Sequence, residues 1–192
     1  MAKSKKINTK YPPLQILKQK LHTEGYASEY VAGADSDGFD HLFIPLDEFE
    51  EGEEDVEVHY VLQAFFVEDM LIAETPDLKP EEIPQFATLQ LISEMPVSWE
   101  GVAQERFADG MALLNVFSQK LPFGQLHLDG DMIVYTYAYP SETQKLPVSV
   151  IASMLDMISF FINRMGPVLE TFVSSNMNWE QGLNALDTLM SE

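Results

Sequence analysis

Cysteine is absent from the 192 residues. That removes a disulfide framework, a thiol nucleophile and any cysteine-ligated zinc site. No apolar run reaches the ~18 residues of a membrane span, and the polar, lysine-rich N-terminus lacks the apolar stretch of a signal peptide. The expectation is a cytoplasmic protein with no membrane partner. Basic residues are scarce: eleven Lys and Arg stand against 31 Asp and Glu, a formal net charge of −20. Six of the eleven (Lys3, Lys5, Lys6, Lys10, Lys18, Lys20) precede the first acid, Glu24, so 5 cations face 31 anions from residue 21 onward. Such a surface repels phosphate backbones, which excludes nucleic acid as a partner of the body of the chain and favours a basic one. G-x-S-x-G, P-loop and G-x-G-x-x-G motifs are missing too, so no nucleotide cofactor is expected.

What is present is an ordinary globular composition, 46% hydrophobic and 22% charged, enough for one domain with a real core. Residues 1–11 read as a disordered basic tail ahead of a single domain over 12–192. Pro12-Pro13, the spacing of Leu14, Leu17 and Leu21, and Gly25 predict a helix over 12–25. Tyr26–Val31 and Phe39–Pro45 read as a hairpin around a Gly33–Gly38 turn. An acidic loop with one aromatic, Phe49, fills 47–55. Alternation from Val56 to Phe66 predicts a long half-buried strand. A loop with three prolines over 74–84 and a strand over 86–94 follow. Ser98 reads as the cap of a helix over about 99–119 that contains Gly110 and ends at Pro122. A second hairpin turns at Asp129-Gly130. The longest helix spans 147–173, interrupted by Gly166-Pro167, and an appended helix covers about 177–190. Strands in hairpin-like runs argue for an α+β fold with an antiparallel sheet packed with helices.

Leu113-Leu114-Asn115 and the run Leu121-Pro122-Phe123-Gly124-Gln125-Leu126-His127-Leu128-Asp129-Gly130-Asp131 resemble the YbjN-like family of bacterial proteins. There a helix ending near an asparagine leads through Leu-Pro-x-Gly to a hairpin and a long helix. The order of elements is similar to that of type III secretion chaperones, and the resemblance covers about residues 12–172. It implies a secretion-chaperone-like fold and a small acidic protein, often a homodimer, that holds an extended client segment on hydrophobic patches without ATP, or that serves in regulation. The C-terminal helix and the acidic loop depart from that pattern.

The four histidines (His22, His41, His59, His127) form no H-x-x-x-H pair. His59 and His127 lie in strands that adjacency would bring together beside Asp129, which leaves an enzyme or metal site there as the alternative. Asp35, Asp37 and Asp40 fail as an EF-hand loop, because Gly33 and Ile44 fall where carboxylates are required; Asx turns account for them. Asp129 and Asp131 flank a turn glycine, where water keeps carboxylates ionised. In the long helix, Ile151, Met154, Leu155, Ile158, Phe161, Ile162, Met165 and Leu169 share one face. Ser149, Ser153, Asp156, Asn163 and Arg164 lie opposite, with Phe160 among them and Met157 at the boundary. An aromatic on a polar face calls for a cover, either Trp179 and Leu183 of the last helix or a partner chain. Met157, Phe160, Phe49 and Trp179 are therefore the candidate partner-binding residues. The expected function is a non-enzymatic protein-binding module, with a structural subunit of a larger assembly as a further alternative.

Overall fold

The computed structural model describes residues 11–46, 60–79, 82–83, 86–100 and 102–191. The basic tail before Tyr11, the acidic loop with Phe49, the start of the strand expected from Val56, and His59 lie outside the described residues.

The elements are α1 (Pro13–Thr23), β1 (Glu29–Val31), β2 (His41–Pro45), β3 (Val61–Phe66), α2 (Val67–Glu74), β4 (Ala87–Ser98), α3 (Phe107–Lys120), β5 (Gln125–Asp129), β6 (Met132–Ser141), α4 (Val148–Ser174) and α5 (Trp179–Leu189). The six strands form one sheet in the order β1-β2-β3-β4-β6-β5, and every neighbouring pair is antiparallel. The fold is α+β, as the hairpin-like runs implied.

Period-two alternation sorts the sheet into two faces. Leu42 on β2, Leu62 and Ala64 on β3, Leu89 and Leu91 on β4, and Ile133 and Tyr135 on β6 are buried in one core with Leu14, Leu17 and Leu21 of α1, Leu114 and Phe117 of α3, Leu155, Ile158 and Ile162 of α4, and Leu186 of α5. Each such aliphatic side chain contributes roughly 1.5–3 kcal/mol by leaving water. The opposite face carries Phe43, Gln63, Ile92 and Thr136 in a single register row.

Several expected boundaries move. β4 runs on past Glu94 to Ser98, crossing Pro96 with a register shift between Glu94 and Ser98. Ser98 therefore ends a strand and does not cap a helix. The next backbone N–H, of Trp99, donates to the carbonyl of Asp131 at 2.6 Å, which holds Trp99 in the core. A 3₁₀ turn (Gln104–Arg106) intervenes, and α3 begins only at Phe107. The stretch after β3 is helical, as α2, a helix not expected from the sequence. Gly166-Pro167 does not interrupt α4, which is continuous over 27 residues. Pro167 is exposed. Gly166 is where the Tyr60 hydroxyl meets the helix, at a point that a Cβ would approach within 1.8 Å.

Candidate functional site

α4 is long and apolar enough to cross a membrane by length and composition alone. Here its apolar side, from Ile151 through Leu155 and Ile162 to Leu169, is packed into the core. The helix starts at Pro147, whose carbonyl accepts from the N–H groups of Val150 and Ile151 at 3.0 and 3.1 Å. The outward side holds Val150, Met157 and Phe160, with 43%, 42% and 37% of their surface exposed. Spacings of seven and three residues align them along one side of the helix.

The stripe is held in place by its surroundings. The Arg164 guanidinium lies 3.7 Å from the centroid of the Phe160 ring, a cation–π contact worth about 0.5–1 kcal/mol at an exposed site. Arg164 also donates to the carbonyls of Leu189 (3.2 Å) and Phe160 (3.3 Å), which ties the end of α5 to α4. Phe161 packs edge-on against Phe160, with ring centroids 5.4 Å apart. Asp156, the acid nearest the stripe in sequence, accepts a short hydrogen bond from the Tyr26 hydroxyl, which also reaches the carbonyl of Ala152. Burial, followed by that bond to Asp156, raises the Tyr26 pKa above its ordinary value. On the neighbouring flank of α4, Asn163 donates to the carbonyl of Leu46 at 2.9 Å, and Ser159 donates to the same oxygen.

The other expected partner-binding residues take different places. Trp179 opens α5 and is half-buried against the core. The end of α5 beside Arg164 is Leu189, ten residues further on, about 15 Å along the helix. Arg164, not Trp179, is what lies over Phe160. Phe49 lies outside the described residues.

Of the histidine alternative, the described residues include only His127 and Asp129. β3, the strand expected to carry His59, and β5, which carries His127, stand third and sixth in the sheet with β4 and β6 between them. His59 itself is outside the described residues. Asp129 and Asp131 are both exposed at the β5–β6 turn. Among the described residues no three His, Asp or Glu side chains gather as metal ligands. In the first hairpin the Asp40 carboxylate accepts from the N–H of Gly33 at 2.9 Å, a bond across the turn between residues seven apart rather than an Asx turn.

His41, on β2, belongs to no metal-binding or catalytic sequence motif. It is 2% exposed, with Phe39 at 4.3 Å, Phe65 at 5.9 Å and Phe43 at 6.0 Å between ring centroids. The Gln63 amide nitrogen donates to Nδ1 at 2.7 Å, which leaves the ring hydrogen on Nε2. Nε2 is buried without a hydrogen-bond partner. Burial lowers the His41 pKa, and the charges of Asp37 and Asp40 oppose that shift more weakly. Its signal was available in Phe39-x-His41-x-Phe43, three rings at period two on one side of a strand.

The chain matches no protein-family model, no curated protein sequence and no solved structure.

Proposed function

We propose that this protein is a non-enzymatic protein-binding module that self-associates through the outer stripe of α4. One observation carries the reading: Val150, Met157 and Phe160 form an exposed apolar line on a long, nearly neutral helix of a very acidic chain. With Asp156 and Glu170 against Arg164, the 27 residues of α4 carry a net −1, whereas the whole chain carries −20. Two copies meeting at this helix bring their apolar stripes together while keeping most of their like charge apart. Such an interface is isologous, with the stripe facing itself across a two-fold axis. The Arg164 contact fixes the Phe160 ring before binding, which reduces the ordering cost of association. The sheet edges offer less, because β1 has three residues and β5 five, and short edge strands discourage strand addition.

The test is Phe160→Asp together with Met157→Asp in the full chain, read by light scattering and circular dichroism. Both side chains are exposed, so the monomer is expected to keep its fold. The wild type is expected to run as a dimer and each variant as a monomer. A wild type that stays monomeric across the accessible concentration range would overturn the reading, as would folded variants that dimerise unchanged.

A further inference from the structure

A second surface has a different chemistry. The start of α1 and the segment entering α4 enclose an open groove of about 470 Å³. That lies within the range of small-molecule clefts, roughly 300–1,000 Å³. Ile16, Leu17, Leu146 and Val148 give it an apolar lining, and Lys20 and Lys145, both exposed, stand at its rim. Among the described residues, neither lysine makes an ion pair or a side-chain hydrogen bond. Of the other cations of the body, Lys120 pairs with Asp187, Arg106 holds two carbonyls and Arg164 lies over Phe160, while Lys18 and Lys79 make no side-chain ion pair or hydrogen bond among the described residues. In a chain of net charge −20, two unengaged ammonium groups stand beside one apolar groove, and the nearby carboxylates of Asp69 and Glu68 are occupied by the amide of Gln144, which also lines it. The first turns of α1 and α4, which border the groove at Pro13 and Val148, contain no acidic residue to pair with the two lysines.

We propose that this groove binds a single-chain amphiphile with an anionic head, a long-chain carboxylate, its hydrocarbon lying along Ile16, Leu17, Leu146 and Val148 and its head between Lys20 and Lys145. The argument is charge complementarity together with the groove's size and lining. Hydrocarbon placed there leaves water at about 0.8 kcal/mol per CH₂. The carboxylate meets two cations that, among the described residues, have no carboxylate partner, in a molecule whose net charge of −20 otherwise disfavours an anion. The chain's own first ten residues do not suit the groove, since they carry Lys3, Lys5, Lys6 and Lys10 and no acid, and would set like charge against Lys20 and Lys145. The proposal is independent of the α4 stripe.

The test is isothermal titration of the full chain with dodecanoate below its micellar concentration, with dodecanol and dodecylammonium as head-group controls. The expected result is saturable binding of one dodecanoate per chain, at least tenfold weaker for dodecanol and absent for dodecylammonium. The exposed double variant Lys20→Glu/Lys145→Glu is expected to stay folded by circular dichroism and to lose at least tenfold in dodecanoate affinity. Phe160→Asp is expected to bind as the wild type does, so failure of the self-association reading leaves this result standing. Absence of saturable binding, uptake of many molecules per chain, equal affinity for dodecanol, or an unchanged affinity in the folded double variant would each overturn the proposal.

Discussion

The imidazole of His41 sits among Phe39, Phe43 and Phe65, with Gln63 on Nδ1 and a buried, unpartnered Nε2. An orphaned buried donor costs about 1–3 kcal/mol, and an imidazolium there would cost more, because burial disfavours the charged form. The folded-state pKa is therefore below the unfolded value of 6.5. Between those two values the unfolded chain binds more protons, so stability falls as pH drops below 6.5 and through the folded pKa. Above 6.5 both states are neutral and the contribution is complete. Asp69, whose carboxyl is raised by burial, acts in the opposite sense, from its ordinary value of 3.8 upward. The urea midpoint is expected to fall between about pH 7.5 and about pH 5.5, with the slope of the transition unchanged. In His41→Phe most of that fall is expected to vanish. A variant that loses stability over the same interval as the wild type would assign the effect to another group. At the same scale, Gly110 explains a residue that costs α3 about 1 kcal/mol in helix propensity. A Cβ there would lie 2.0 Å from the Trp99 ring, which is itself stacked on Phe172 at 5.8 Å.

Elements are joined here by a few side chains acting on backbone carbonyls. Arg106, in the turn before α3, donates to the carbonyls of Phe172 and Met177 and lies 4.6 Å from the centroid of the Phe172 ring. It closes the corner between α4 and α5, where helix-end carbonyls have no partner within their own helix. Arg106→Leu is expected to lower unfolding stability by about 2 kcal/mol, the scale of charged hydrogen bonds, and to expose the α5 backbone to hydrogen exchange before the sheet. Equal protection of α5 in wild type and variant would show that packing of Leu186 and Gly182 holds the helix unaided. Elements with a clear period were legible in the sequence: α1, both hairpins, the buried side of α4 and the existence of α5. Those set by tertiary contacts were not. β4 outran its expected end because Met95 and Val97 keep the alternation through Pro96. Ser98 has cap chemistry, but the core demand of Trp99 prevailed. α2 has eight residues and too few turns for its period to stand out. Of the candidate site, exposure of Met157 and Phe160 was legible from the wheel of α4, whereas the cover over Phe160 was not. Arg164 reaches it from one helical turn away while also holding the carbonyl of Leu189, a tertiary contact.

For the whole molecule, charge and shape set opposite terms on self-association. Two copies of a −20 chain repel each other at long range, and that repulsion is screened over about 10 Å at 0.1 M salt. The proposed contact at α4 is apolar, with one cation and two acids in 27 residues, so salt has few interfacial ion pairs to weaken. The two terms give a sign. Dimerisation is expected to strengthen as sodium chloride rises from about 0.02 M to about 0.3 M, with the gain largest at the low end, where the Debye length is longest. An interface built on ion pairs, for example the lysines near the N-terminus of one copy against the acids of another, would weaken over the same range. Sedimentation velocity at several protein concentrations measures this directly. A dissociation constant that rises with salt would place the contact away from α4. One that falls with salt in the wild type, with Phe160→Asp remaining monomeric throughout, would tie the association to the neutral stripe rather than to general screening of the acidic surface.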